Sequence, residues 1–236
     1  MNVYLNEISG LWNAIDTMYF SKRSWTRERE QHIMNLCDQC YDKHGLLVSD
    51  IPDELLDLMD KLFKWAPKHI TMGRFIDFSF TIEGMHRGAQ DDLDAHAMRM
   101  NNRIIRSSTR LAAFGHEKSS WYQNKIISTD EALAFLGATL PESIVTAGET
   151  FVRTVGGYVR KDCENDQDVK RGLYLLSIPS NCTFRINSTE FAHVVKERDS
   201  FSHAHPELQE AVEKCISLVQ HNIPQLTKEY WHAVHN

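Results

Sequence analysis

Between positions 77 and 83 apolar and polar residues alternate: Phe78, Phe80 and Ile82 against Asp77, Ser79, Thr81 and Glu83. A period of two predicts a strand with one face buried, and Gly84 is expected to close it. Upstream the period changes. Over 52 to 64, Leu55, Leu58, Met59 and Leu62 share one helical face, with Ser49 or Asp50 as the expected cap and Pro52 in the first turn. Residues 25 to 43 read as another helix. From 85 to 111 the spacing is helical without a proline, which predicts one long helix. A helix over 130 to 140 stops at Pro141, and a further helix is expected after it. GGYVRK and LYLLSIPSNCTFRI read as strands, the second interrupted around Pro179. Asn187 and Glu190 form a capping-box pattern ahead of Phe191, Val194 and Val195, and a last long helix is expected over 206 to 221. Helices, strand, long helix, helices, strands and helices in that order predict an α+β fold: a mixed, largely antiparallel sheet flanked by helices. We expect a single domain over 1–236, with 1–68 mostly helical.

The net charge of −6 argues against a general polyanion binder, so no nucleic-acid partner is expected. No apolar run is long enough to span a membrane, and the first residues lack a signal-peptide pattern. A cytoplasmic protein is expected. The five cysteines are an odd, scattered set, read as ordinary thiols, including the lone C-x-x-C of Cys37 and Cys40. The twelve histidines show no metal-binding spacing, so no metal is expected. Neither G-x-G-x-x-G nor a Walker A loop is present. In this acidic chain Arg99, Arg103, Arg106 and Arg110 stand in steps of four, three and four, which on a helix would form one stripe. Two readings stand. The stripe is a solvated face paired with Asp91, Asp92 and Asp94, or it is an anion site to which Ser107 and Ser108 add hydroxyls.

Four segments, in order, carry a resemblance. They are HIT at His69 to Thr71; FTIEGMHR at Phe80 to Arg87; the following segment, with His96 and then Ser108-Thr109-Arg110; and Arg171, Asn187, His193, Arg198 and SHAHPEL. Together they resemble the flavin-dependent thymidylate synthases, the ThyX family, over residues 69 to about 210. The family's R-H-R is broken in either register: with His96 on its histidine the arginines become Ala95 and Ala97, and with Met98-Arg99-Met100 on it the histidine is lost. Its preceding glutamine falls on Asp92, and the glutamine of its S-H-A-Q on His205.

The resemblance implies an FAD enzyme that transfers a one-carbon unit from methylenetetrahydrofolate to C5 of dUMP, uses NADPH as reductant and assembles as a homotetramer. Carried over by residue, Ser108 and Arg110 would hold the nucleotide phosphate and Arg171 would be a second nucleotide contact. Arg198 would be the catalytic group on the pyrimidine, with Asp92 beside the base. His69, Thr71, His96, Asn187 and His193 would contact FAD, and Arg99 and Arg103 would replace the charge lost at 95 and 97. Asp92 in place of glutamine keeps open a related hydroxymethylation of dUMP or dCMP. The missing arginines keep open a non-catalytic nucleotide-binding protein.

Overall fold

The computed structural model describes residues 1–66, 70–96, 103–107, 133–154, 157–166, 179–199 and 204–234. In chain order the elements are β1 (Asn2–Ser9), α1 (Leu11–Ser21), α2 (Arg27–Cys40), α3 (Asp53–Trp65), α4 (Ile70–Gly73), β2 (Asp77–His86), α5 (Arg87–His96) and β3 (Arg103–Arg106). Then follow β4 (Ser143–Thr146), β5 (Glu149–Thr154), β6 (Gly157–Arg160), β7 (Pro179–Asn187), α6 (Ser188–Arg198), α7 (Pro206–Asn222) and α8 (Lys228–Ala233). Strands β1, β2, β7 and β3 form one sheet in that order, and β4, β5 and β6 a second. The mixture of helices and antiparallel sheet is the α+β class that the element order implies.

The chain divides into two compact units. The larger comprises Asn2–Ile82, Asp92–Ile105 and Thr183–Asn236. Its core is aromatic at the centre. Phe78 and Phe80 of β2 point inward, as their alternation predicts. Phe80 stacks on Phe184 of β7 at 5.2 Å, and Phe191 of α6 meets Trp231 of α8 edge-on at 5.1 Å. Offset and edge-on pairs of this kind add to the gain from area burial. Leu55, Leu58, Met59 and Leu62 of α3 are buried as their spacing requires. The caps differ in kind. Thr26 and Thr227 accept hydrogen bonds from Arg29 N and Tyr230 N, each at 3.2 Å, and so start α2 and α8. Helix α3 has no side-chain cap; Pro52 occupies that position, and the Ser49 hydroxyl donates to Gln39 O instead. Gly10, before α1, has φ +82, and a Cβ there would lie 1.7 Å from Phe75 O.

The smaller unit comprises Glu83–Asp91 and Arg106–Cys182, with Met1. Gln90 is fully buried, and its amide donates to Met85 O, Ser180 O and Ser180 Oγ. In the β4–β5–β6 sheet Thr146 pairs with Glu149, leaving the two-residue turn Ala147-Gly148, both at positive φ.

Three expectations are corrected here. The helix expected over 85–111 is described only as α5, and Arg103–Arg106 is a strand. The β-branched pair Ile104-Ile105 favours the strand, so the one helix on which the four arginines would form a stripe is not formed at 103–106. In place of a helix after Pro141 comes the β4–β5 hairpin, and of the expected 130–140 helix the described part holds one turn over 133–135. Gly84 does not end β2; the strand passes through it at φ +72 to His86. Among the elements the pattern leaves unassigned are β1, α1, α4 and α8. Pro179 is the first described residue of β7.

Candidate active site

The residues that start α6 meet those of α4. A Cβ on Gly73 would lie 3.1 Å from Thr189 Oγ1 and 3.6 Å from Ser188 Oγ, and Ser188 N donates to Ile76 O at 2.7 Å. Only a glycine admits so close an approach without a shift. Asn187 is 2% exposed, and its Oδ1 accepts from Glu190 N at 3.0 Å. The capping pattern in the sequence is therefore a real cap. Burial pushes the Glu190 carboxyl up, while the Asn187 side chain and the Arg74 guanidinium pull it down and Asp77 pushes it further up. Glu190 Oε2 is buried and finds no hydrogen-bond donor among the described residues. Thr71 on α4 and His193 on α6 are both exposed. The fold thus brings Thr71's helix to Asn187. The junction also gathers Arg74, Ser188, Thr189 and Glu190, which the resemblance does not name. Glu190 is visible in the sequence only as half of a cap.

Arg198 lies at the other end of α6. That helix has 11 residues, a length of roughly 16 Å at about 1.5 Å per residue. The guanidinium is half-buried and Nη1 donates to Glu197 O at 3.1 Å. Nε is buried with no acceptor among the described residues. Among the described residues no carboxylate pairs with Arg198. Asp92 on α5 is half-buried and likewise makes no hydrogen bond or ion pair among the described residues.

Arg106 behaves differently. Its Nη1 lies 2.6 Å from Asp91 Oδ1, and Nη2 donates to Gln90 O at 3.0 Å. Asp91 also faces Arg87 Nε at 3.8 Å. For Arg106 the acidic-turn reading of the stripe holds. Ser107 Oγ accepts from Asn181 N at 2.9 Å, which ties it to β7. His69, Arg99, Ser108, Arg110 and Arg171 lie outside the described residues, as do the side chains of His96, at the end of α5, and Arg103, at the start of β3.

Cys37 and Cys40 are buried free thiols on α2. Burial, then Cys40 and Asp38, push the Cys37 thiol up to about 12, and Cys40 Sγ donates to Leu36 O at 3.6 Å. Among the described residues no helix is long and apolar enough to cross a membrane.

No family model matches the sequence, and none of the curated proteins matches it. Solved structures do. ThyX from Helicobacter pylori with FAD and dUMP matches at a TM-score of 0.57 and 14% identity, over 98% of this chain and 100% of that one. A second Helicobacter pylori ThyX structure, complexed with FAD and dUMP, gives 0.53 and 13%, over 94% and 97%. The UMP/dUMP methylase PolB from Streptomyces cacaoi, bound with 5-Br dUMP, gives 0.53 and 12%, over 98% and 94%. Such low identities speak for architecture rather than chemistry, and along nearly its whole length this chain is a divergent member of the ThyX fold.

Proposed function

We propose that the chain binds FAD and a pyrimidine nucleoside monophosphate, and that it transfers a one-carbon unit from methylenetetrahydrofolate to C5 of dUMP with NADPH as reductant. The observation that supports this most is Arg198. A half-buried guanidinium with no carboxylate partner among the described residues keeps donors for a pyrimidine carbonyl or a phosphate. There it would stabilise negative charge developing on the ring. Ser108, Arg110 and Arg171 are the proposed contacts to the rest of the nucleotide.

FAD fits the α4–α6 junction. Glu190 Oε2, which meets no donor among the described residues, suits an N–H or hydroxyl of the cofactor, and Thr71 on α4 and His193 on α6 are exposed. Asn187 would contact the cofactor while capping α6. His69, His96, Arg99 and Arg103 complete the proposed cofactor set. When bound, FAD supplies the hydride chemistry; the chain binds, orients and polarises. We further propose a cytoplasmic homotetramer, in which the two ends of α6, roughly 16 Å apart, serve sites shared between protomers.

A second reading is favoured by Asp92. An unpartnered carboxylate accepts hydrogen bonds only, so beside a base it would prefer an exocyclic amine such as cytosine N4. That reading is hydroxymethylation of dCMP or dUMP. One assay tests both: incubate the protein with FAD, NADPH, methylenetetrahydrofolate and dUMP, UMP or dCMP, then weigh the nucleotide. A methyl on dUMP supports the first reading, and a hydroxymethyl supports the second. A nucleotide that binds yet keeps its mass points to a non-catalytic protein.

A further inference from the structure

The last turn of α6 ends in two neighbours with opposite surroundings. Arg198 keeps donors that meet no acceptor among the described residues, while Asp199 is 0% exposed. A carboxylate taken out of water must be paired. Asp199 Oδ2 meets His232 Nε2 at 2.6 Å and Lys228 Nζ at 3.5 Å, both from α8. Lys228 also bridges to Glu213 of α7. The Asp199 N–H closes α6 on Val195 O at 3.0 Å. Helix α8 is only six residues long, too short to be stable by itself. It is held by Trp231, which lies 5.1 Å from Phe191 and 6.1 Å from Phe78, and by the Thr227 cap. Asp199 is thus fixed by its backbone to α6 and by its side chain to α8.

Helix ends commonly fray. A frayed last turn would spread the Arg198 side chain over many positions, and ordering it on binding would cost affinity. We propose that Asp199, gripped by His232 and Lys228, is a positioning residue that fixes the last turn of α6 and so presents Arg198 to the pyrimidine nucleotide. The inference rests on the nucleotide reading above. His232 and Lys228 lie beyond the stretch that carries the sequence resemblance.

The test is a double-mutant cycle on dUMP binding by calorimetry, with the FAD-supplemented full chain. The variants are R198A, H232L, H232Q and R198A/H232L. H232L removes the donor to Asp199, whereas H232Q keeps an amide N–H. H232L is expected to weaken dUMP about tenfold and H232Q to restore most of it. In the R198A background H232L should change nothing further, because its effect runs through Arg198. A merely structural role would give the same loss with and without Arg198 and would overturn the inference. So would an unaltered affinity in H232L while R198A weakens binding. If R198A itself leaves dUMP affinity unchanged, the nucleotide reading fails and takes this inference with it. Amide exchange over 195–199 provides a readout free of nucleotide: it must quicken in H232L, and unchanged exchange would overturn the positioning role. K228M replaces H232L throughout if the latter folds poorly.

Discussion

Glu190 carries a mismatch between charge and surroundings. Its carboxyl sits above the usual range, chiefly because burial penalises the ionised form. A carboxyl whose folded value exceeds its unfolded one contributes stability below the unfolded value, and that contribution is lost as pH rises through the folded one. Wild-type protein and E190Q should therefore melt most alike near about pH 4, and E190Q should gain relative to wild type towards about pH 7. Thermal melts across that range check it; a constant gap between the two would contradict it. Not all of this site can be read in the residues alone. Asn187 and Glu190 are legible as a cap because their spacing is local. That Glu190 is also acted on by the charges of Arg74 and Asp77 is not legible, because only the fold brings them near.

At the level of elements, two turns make opposite demands. Asn187 starts α6 through its side chain, so N187A should lower stability by about 1 kcal/mol. N187S keeps an acceptor and should recover most of that loss in urea unfolding. If Asn187 also touches FAD, N187S will bind the cofactor more weakly despite its near-normal stability, as a flavin-fluorescence titration would reveal. The β4–β5 turn places Ala147 at φ 54, a region that asparagine tolerates better than alanine. A147N creates the Asn-Gly pair favoured in such hairpins, and should stabilise that hairpin by about 1 kcal/mol, again read from unfolding.

The same elements explain what the sequence reveals. Strand β2 is legible because one of its faces is buried and the other is not. Strand β3 is not, because Arg103-Ile104-Ile105-Arg106 is too short to display a period, and its arginines extend a helical spacing begun upstream. The hairpin hides because its turn lacks the usual asparagine. Strand β1 hides because most of its residues are only half-buried or exposed, which blurs alternation.

For the molecule as a whole, the larger unit depends on Trp231. It is 0% exposed and joins α8 to β2 and α6 through rings 6.1 and 5.1 Å away. W231A should cost about 3–5 kcal/mol, measurable as a lower urea midpoint. The sequence offers no hint of this. Trp231 stands in a six-residue helix too short to show a face, and its partners lie far upstream in the chain. The fold class, by contrast, is legible from element order, because strands set among helices leave few layered arrangements.

Helix α6 is a ruler. Asn187 marks one end and Arg198 the other, with eleven helical residues setting the distance between them. A single residue inserted between these marks would swing Arg198 by about 100° around the axis, and four would return it to nearly the same bearing but about 6 Å further out. The spacing of these two residues is therefore held by geometry far more strictly than the identity of the side chains along the outer face between them.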